Sequence, residues 1–549
     1  MKKWRKVITM GLAVLLLFSS ASVISAAKEK DELATILMVP LDDRPANIYF
    51  PIQVGYSAGV EVSAPPKEMI GKFTTPGNGE EISKWLIENG DKADGFVIST
   101  SMLAYGGLVA SRTGTKSLED AISDIQVIKQ LKELYPDKPV YVYDTIQRLA
   151  VTAISDEYLK YYSQISEWAI LFDKVVNLGM EGKERLEELE RIIPEAVLDD
   201  YKKARARNHT VNNLMIDWVN EGYIDHLILS QDDAAPYGLH RAERELLVEK
   251  VNALNVEDQV SVFPGADEVS VVLVSRFVNQ LFGTTPTFFV EYGGVHGEDW
   301  IAPFEDTTFD YNVQKHIVSA GGKVVTNEED ADIHLLLNTP SASDSTREKD
   351  IEGLVARTSE LLANGEQVAI GDVWIVNKAD EAFVTELAEN VDLTKILSYS
   401  GWNTAGNALG ITVGHAAARY AFLSQKNGFG VPLYEQTAEY HYEFLLHRFT
   451  KDQSYKNIVH PAARQYLQSI GASEWDLGEK YDQVNSFVQE KLTLETEKWY
   501  QYFDGKKVYI GSRGDKDFYK TISDLESVHV KLPWPRIFEA ELEPELELK

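Results

Sequence analysis

Residues 227–238 read LILSQDDAAPYG, and this stretch decides the fold. Leu227 to Ser230 predict a buried β-strand, and two adjacent carboxylates, Asp232 and Asp233, follow where the strand ends. Parallel α/β folds place their chemistry at the carboxyl ends of strands. Neighbouring carboxylates repel each other and lose hydration on burial, so folding alone gives little reason to place them together. An N-capped turn is the alternative, although two adjacent acids cannot both fill the same cap.

The same arrangement of an apolar run followed by an acid recurs along the chain. It appears in LDDRP at 41–45, YDT at 143–145, PGADE at 264–268, VE at 290–291 and GD at 371–372. Because the carboxyl ends of parallel strands meet at one edge of a sheet, these acids predict a shared site there.

Short apolar segments alternate with amphipathic helical stretches from residue 35 onward, which predicts βαβ units and the α/β class. The first series of predicted strands is 35–39, 60–63, 95–100, 140–143, 226–230 and 259–263. A second series is 287–290, 323–325, 333–337, 368–370 and 396–399. The interpretation is parallel-sheet βαβ units in two packed Rossmann-like halves, followed by a helical cap and a small C-terminal β region. A TIM-like closed barrel is the alternative, because counting strands does not separate the two.

The predicted organisation has four parts. Residues 1–27 form a signal peptide, with a basic start, a short apolar core and small residues at Ser25–Ala27. Residues 33–285 form a first α/β domain with a helical insertion at 150–223, residues 286–430 a second α/β domain, and residues 431–549 a helical and small β C-terminal domain. The protein is therefore expected to be secreted or held at the extracellular cell surface, with no membrane span after signal cleavage.

Composition narrows the classes of partner. The 549-residue chain has no Cys, and 54 Lys and Arg stand against 85 Asp and Glu, a net charge of −31. Phosphate backbones demand a positive surface, so nucleic acid is not an expected partner. The absence of Cys excludes thiol nucleophiles and cysteine metal sites. The expected ligand is a saccharide or cell-wall fragment; the oligomeric state is left open.

Cofactor and hydrolase motifs are missing. The sequence contains no Gly-x-Gly-x-x-Gly, no phosphate-binding loop and no His-Glu-x-x-His, so neither a cofactor nor a zinc site is expected. A Ca²⁺ or Mg²⁺ site built from strand-end acids stays open. Residues 55–59, GYSAG, match the serine-hydrolase pattern, but a predicted strand follows the Ser where that pattern requires a helix.

Asp232 and Asp233 are the predicted catalytic residues. Two close carboxylates cannot both ionise easily, so one pKa rises. A protonated acid beside a charged partner is the division of labour that glycosidases use.

Substrate-binding candidates come from the other strand ends. Arg44 can hold a carboxylate bidentately, and the Trp402–Asn403 pair suits the apolar face and hydroxyls of a sugar. The predicted binding set is Asp42, Asp43, Arg44, Asp144, Arg148, Tyr237, His240, Arg241, Asp267, Glu268, Trp402 and Asn403. Asp267 and Glu268 could instead complement a helix dipole, and Trp402 could be a core residue in a tight turn.

Three motifs carry a resemblance to a known family. They are PLDDRPAN at 40–47, QDDAAPYG at 231–238 and GWNTAGN at 401–407. In this order they resemble a bacterial domain-of-unknown-function family over nearly the whole chain after the signal peptide. The resemblance implies a shared fold and a shared site but no reaction. The strand-end acids are also loosely similar to glycoside hydrolases that use paired Asp on amino sugars.

The leading hypothesis is a secreted glycoside hydrolase that cleaves a cell-wall or environmental saccharide, amino sugars included, by carboxylate acid/base catalysis. The first alternative is a non-catalytic extracellular protein that binds saccharide or peptidoglycan fragments. The second alternative is a metal-dependent ester or amide hydrolase.

Overall fold

The structure is a computed structural model that describes residues 32–152, 156–425 and 427–549. The predicted signal peptide, residues 1–27, lies outside the described residues. Within the part that is described, no helix is both long and apolar enough to cross a membrane.

A six-stranded parallel sheet forms the first half. Its strands are β1 (Ala34–Val39), β2 (Val60–Ser63), β3 (Gly95–Ser99), β4 (Val140–Ile146), β5 (His226–Gln231) and β6 (Val260–Pro264), in the order β2-β1-β3-β4-β5-β6. Every residue of β3, β4, β5 and β6 is buried. Helices cover both faces of such a sheet, so its strands read as continuous apolar runs rather than alternating ones.

The second half is a five-stranded parallel sheet. Its strands are β7 (Thr287–Tyr292), β8 (Lys323–Val324), β9 (Ile333–Asn338), β10 (Val368–Asp372) and β11 (Ser398–Ser400), in the order β11-β10-β9-β7-β8. Both sheets are open, which confirms the prediction of two α/β halves over the alternative of one closed barrel.

The helices of the two halves follow the strands in alternation. They are α1 (Tyr49–Tyr56), α2 (Gly79–Asn89), α3 (Thr100–Tyr105), α4 (Leu108–Ser111), α5 (Leu118–Asp124), α6 (Val127–Leu134), α7 (Asp156–Phe172), α8 (Lys183–Ile192), α9 (Glu195–Asn220), α10 (Leu239–Leu254), α11 (Val269–Phe282), α12 (Phe309–Ser319), α13 (Arg347–Ala363), α14 (Glu381–Asn390) and α15 (Ala405–Leu423). Helices α7 to α9, with a π-helical turn at Asp173–Asn177, occupy the predicted insertion.

Two helices join the halves. Helix α11 packs on β3 and β4, α15 packs on β10 and β11, and the two helices pack against each other. Most residues of α11 and nearly every residue of α15 are buried. A Cβ on Gly414 of α15 would come within 2.8 Å of a Val271 methyl in α11. The small residues of α15 therefore allow the close helix contact that holds the sheets together.

The C-terminal region is helical with a small antiparallel sheet, as predicted. It contains α16 (Val431–Arg448), a π-helix (Phe449–Val459), α17 (His460–Ile470), α18 (Tyr481–Tyr500), β12 (Lys507–Arg513), β13 (Lys516–Lys531) and β14 (Glu541–Leu548). Residues Glu32–Lys549 cluster into one compact unit, and the domain boundaries at 285 and 430 stay a prediction.

Candidate functional site

A cleft with a cavity volume of about 420 Å³ lies at the carboxyl ends of strands from both sheets. In the first sheet, β2 lies on one side of β1 and β3 on the other, so the chain changes direction there. Ligands of open α/β sheets bind at such a switch point. The charged and amide residues on its walls are Asp42, Arg44, Arg112, Arg148, Gln231, Asp232, Asp233, Asp267, Glu305, Asn377, Asn403, Asn407 and Arg536.

Arg44 connects two strand ends within the cleft. Its guanidinium contacts Asp42, which follows β1, at 2.7 Å and Asp267, which follows β6, at 2.6 Å. Asn403 Nδ2, which follows β11, donates to Asp267 Oδ2 at 3.0 Å. Burial raises the pKa of Asp267 to about 6 although Arg44 lowers it. The network therefore ties the second sheet to the first at the floor of the cleft.

Asp232 and Asp233 each have their own arginine. Asp232 forms a short ion pair with Arg112, and Asp233 contacts Arg148 at 2.5 Å. Burial opposes ionisation of both. For Asp232, Arg112 and Arg148 outweigh burial and lower the pKa. For Asp233, burial together with the Asp232 charge raises the pKa despite Arg148. The pair is thus polarised, and Asp232 loses its proton at a lower pH than Asp233 does.

Glu305 also faces the cleft, and it differs from the other acids there. Its Oε1 accepts the Gly406 backbone N–H at 2.6 Å, and its Oε2 accepts Asn312 Nδ2 at 3.0 Å. The described residues give it no Lys or Arg within ion-pair distance, whereas the four cleft aspartates all have one. Burial raises the pKa of Glu305 to about 8. Glu305 is therefore largely protonated at neutral pH.

The cleft backbone is strained at several points. Phe73, Phe304, Asn377 and Asn403 have φ values of 53°, 68°, 66° and 70°, in the left-handed region. All four line the cleft. Asn255, the remaining non-glycine residue with positive φ among those described, ends helix α10. Such conformations cost about 1–3 kcal/mol each and gather where function requires a particular backbone path.

Seven of the predicted site residues line this cleft: Asp42, Arg44, Arg148, Asp232, Asp233, Asp267 and Asn403. They converge because each follows a parallel strand or begins the loop after one. Asp43 lies directly behind the wall, where its carboxylate accepts Trp534 Nε1 at 2.8 Å.

The residues predicted after the Asp pair lie off the cleft wall. Tyr237 is 36% exposed, and Lys174 approaches its ring. His240 is buried beneath the loop, with Nε2 2.7 Å from the Ala235 carbonyl oxygen, and burial lowers its pKa to about 3. Arg241 points instead to Asp173, at 2.7 Å. These side chains fasten the helical insertion to the start of α10.

Three further predicted binding residues are structural. Asp144 is buried at the end of β4, where it accepts Asn212 Nδ2 at 2.7 Å. Glu268 is buried and lies 3.1 Å from His316 Nε2. Trp402 is 1% exposed and packs edge-on against Phe50 in the core. The structure does not place them on the cleft wall, because each side chain points back into the packed helices and strands.

Sequence reasoning missed several cleft residues. Arg112 lies after the short helix α4, Glu305 in an irregular loop, and Asn377 in the loop that follows β10. The C-terminal region adds Trp475, Trp534, Arg536 and Phe538. None of them follows a strand directly, so the strand-end criterion could not find them. The unusual WPRIF run at 534–538 was the available signal.

A metal site needs several His, Asp or Glu side chains grouped around one point. Across residues 32–152, 156–425 and 427–549, no group of three or more His, Asp or Glu side chains is arranged to hold a metal ion.

Comparisons with known proteins place the chain in a family. One solved structure that it matches is the first ketoreductase of the tylosin PKS, at 12% identity over 70% of this chain and 74% of that chain, with a TM-score of 0.16. A likeness this weak does not bear on the reaction. No curated protein matches the chain. The predicted resemblance to a family of unknown function is confirmed, whereas neither comparison supports the looser one to glycoside hydrolases. Because its family model matches residues 36–543, the chain belongs to the family described as Protein of unknown function (DUF4127).

Proposed function

We propose that this protein is a glycoside hydrolase acting on a neutral saccharide, with Glu305 as proton donor and Asp233 as charged partner. The observation that carries the proposal is a single unpaired, protonated carboxyl in a cleft whose other described carboxylates are held by arginine. Glycosidases need one carboxyl of each kind.

Glu305 suits the role of acid. Its pKa of about 8 keeps the proton on the carboxyl at neutral pH, and hydrogen bonds from Gly406 and Asn312 hold both oxygens in place. The prediction from sequence gave the acid role to the Asp pair. Arg112 lowers the pKa of Asp232, and a carboxylate held in its ionised form cannot donate a proton.

Asp233 suits the role of charged partner. Its side chain is 31% exposed, compared with 6% for Asp232, so it is the member of the pair that a substrate can reach. Burial raises the pKa of Asp233, and the ion pair with Arg148 opposes that rise by stabilising the ionised form. The Ala234 N–H donates to the Phe304 carbonyl oxygen at 2.8 Å, which joins the segment carrying Asp233 to that carrying Glu305.

Charge balance favours a neutral substrate. The four arginines of the cleft are all paired: Arg44 with Asp42 and Asp267, Arg112 with Asp232, Arg148 with Asp233, and Arg536 with Glu539. The cleft therefore offers no surplus positive charge, and the chain as a whole carries −31. An anionic polymer would be repelled over long range, whereas sugar hydroxyls can use both the fixed donors and the fixed acceptors.

The second candidate is a non-catalytic saccharide-binding protein. The arginine pairing favours it, because paired carboxylates form a rigid lining of hydrogen-bonding groups that needs no proton transfer.

The test is hydrolysis of nitrophenyl glycosides and neutral oligosaccharides by the purified protein, beside Glu305→Gln and Asp233→Asn. We expect either change to reduce kcat by about 10²–10⁴, with substrate still bound. Glu298→Gln, an exposed acid in the preceding loop, is the matched control and should keep full activity.

Three outcomes contradict the proposal. Full activity of Glu305→Gln would show that Glu305 is not the proton donor. Ligand binding by the wild type without turnover favours the binding protein. Activity lost in chelator and restored by a divalent cation favours a metal-dependent hydrolase.

A further inference from the structure

One wall of the cleft is built from aromatic rings and an arginine. Phe73, Trp475, Trp534, Arg536 and Phe538 form this aromatic wall. The ring centroids of Phe73 and Trp534 are 4.7 Å apart, and the Arg536 guanidinium lies 4.4 Å from Trp534 and 5.2 Å from Phe538. Phe538 and Trp475 are stacked with their centroids 6.4 Å apart. These groups therefore form one continuous packed wall, in which Phe73, Arg536, Phe538 and Trp475 keep part of their surface exposed and Trp534 is buried behind them.

Exposure increases along the aromatic wall. Trp534 is 2% exposed at its inner end, whereas Trp475 is 49% exposed at the rim. Covering the exposed half of the Trp475 indole would gain free energy. The fold of the described residues leaves this surface uncovered, so a ligand can pack on it. The wall is thus continuous from the interior of the cleft to solvent.

The aromatic wall is held rigidly. Trp534 Nε1 donates to Asp43, and Arg536 pairs with Glu539 at 2.6 Å. The π-helix anchors the same loop, since Tyr455 Oη donates to the Ile537 carbonyl oxygen at 2.5 Å and Lys456 forms a short hydrogen bond to the Phe538 carbonyl oxygen. The π-helix is rare, and single-turn π-bulges within α-helices occur often at functional sites. Preorganised surfaces lose little entropy on binding.

We propose that the aromatic wall is a row of subsites that hold successive units of a glycan chain, with Trp475 as the outermost platform. The substrate is then an oligosaccharide or polysaccharide rather than a single glycoside. This inference rests on the proposed function.

The chemistry of the wall fits sugars. A pyranose presents a face of C–H bonds that packs on an aromatic ring, while its hydroxyls stay available for hydrogen bonds. Arg536 Nε is buried, and no described residue accepts its hydrogen bond. A sugar hydroxyl between two stacked units would supply an acceptor. A purely apolar ligand would leave this donor unsatisfied.

The test measures binding by isothermal titration calorimetry, with neutral oligosaccharides of increasing length from the series that the protein hydrolyses or binds. We expect affinity of the wild type to rise with length. Trp475→Ala should remove about a tenfold gain for long chains and leave the shortest ligand unaffected. Trp475→Phe should restore most of the gain. Tyr519→Ala, which truncates an aromatic residue of β13 that is 47% exposed and outside the cleft, is the control.

The outcomes separate this inference from the proposed function. Length-dependent binding lost in Trp475→Ala, without hydrolysis, supports the subsites and rejects the hydrolase. Hydrolysis with affinity independent of length overturns the subsites and leaves the hydrolase. An equal loss for short and long ligands in Trp475→Ala, or binding of peptides in place of glycans, also overturns the subsites.

Discussion

Arg44 and Asp267, which are 223 residues apart in the chain, form two hydrogen bonds of 2.9 and 2.6 Å. Both side chains are less than one-tenth exposed. Because Arg44 also holds Asp42, one guanidinium compensates two buried carboxylates at the floor of the cleft.

Replacing Arg44 should therefore be costly. In Arg44→Ala, two carboxylates lose their shared cation, and we expect the free energy of unfolding to fall by about 3–5 kcal/mol. Urea denaturation measures it. Arg185→Ala is the control, since it breaks an ion pair with Glu167 whose partners are 42% and 43% exposed, and it should leave the free energy of unfolding nearly unchanged. Equal losses of unfolding free energy in the two variants would show that the Arg44 network does not stabilise the fold.

Glu305 should make the protein less stable as the pH rises. Its pKa is raised from 4.5 to about 8 in the folded protein, so the folded state binds the proton more tightly than the unfolded state. The stabilising contribution of this proton is present below pH 4.5 and is lost as the pH rises towards 8.

Glu305→Gln should remove this pH dependence. We expect it to raise the free energy of unfolding at pH 8 by ~2–4 kcal/mol over the wild type, with little difference at pH 4. The Asn312 amide can turn over to accept from Gln, since its Oδ1 has no other partner among the described residues. Thermal unfolding at both pH values measures the effect, with Glu298→Gln alongside. A Glu305→Gln protein less stable than the wild type at pH 8 would mean that Glu305 is ionised there.

The close contact between α11 and α15 predicts that one added methyl group destabilises the protein. A Cβ on Gly414 would lie 2.8 Å from a Val271 methyl and 3.1 Å from the Val271 carbonyl oxygen. We expect Gly414→Ala to destabilise the protein by about 1–3 kcal/mol through overpacking.

The matched change, Gly353→Ala, lies in helix α13, where an added Cβ meets nothing within 4 Å. It should stabilise the protein by about 0.5–1 kcal/mol through helix propensity. Differential scanning calorimetry of both variants checks that Gly414→Ala lowers the unfolding temperature and that Gly353→Ala raises it. A neutral Gly414→Ala would show that the two halves can separate slightly at no cost.

Secretion is testable without the structure. If residues 1–27 are a signal peptide, the mature protein recovered outside the cytoplasm should begin at or near Lys28. Intact-mass measurement of the protein from a native-type host checks this. A full-length chain confined to the cytoplasm would reject the prediction.

The local sequence pattern was enough to predict the α/β fold class. Most strands of the parallel sheets are short apolar runs between stretches of helical periodicity, and that information lies within a few neighbouring residues. The same locality explains why Asp42, Asp232 and Asp267 could be placed at one cleft: an acid after a parallel strand lies at the carboxyl edge whichever sheet order the chain adopts.

Other strand-end acids show where this reasoning stops. Asp372 ends β10, yet it is buried and accepts Asn338 Nδ2 at 2.8 Å, and Glu291 in β7 pairs with Arg357 at 3.1 Å outside the cleft. Their sequence patterns match that of Asp232. The difference arises from the packing around each side chain, since Asp372 is enclosed at the end of β10 while Asn377, in the loop after the same strand, lines the cleft.

The sequence by itself determined the alternation of strands and helices, the α/β class, the family and the core of the acidic site, because these follow from short-range periodicity and strand direction. Only the tertiary structure decided which arginine neutralises which acid, that Glu305 is left without a cation among the described residues, and that Trp475 and Trp534 complete the cleft. Those properties depend on segments up to 491 residues apart, as between Asp43 and Trp534, and on burial, which no local pattern contains.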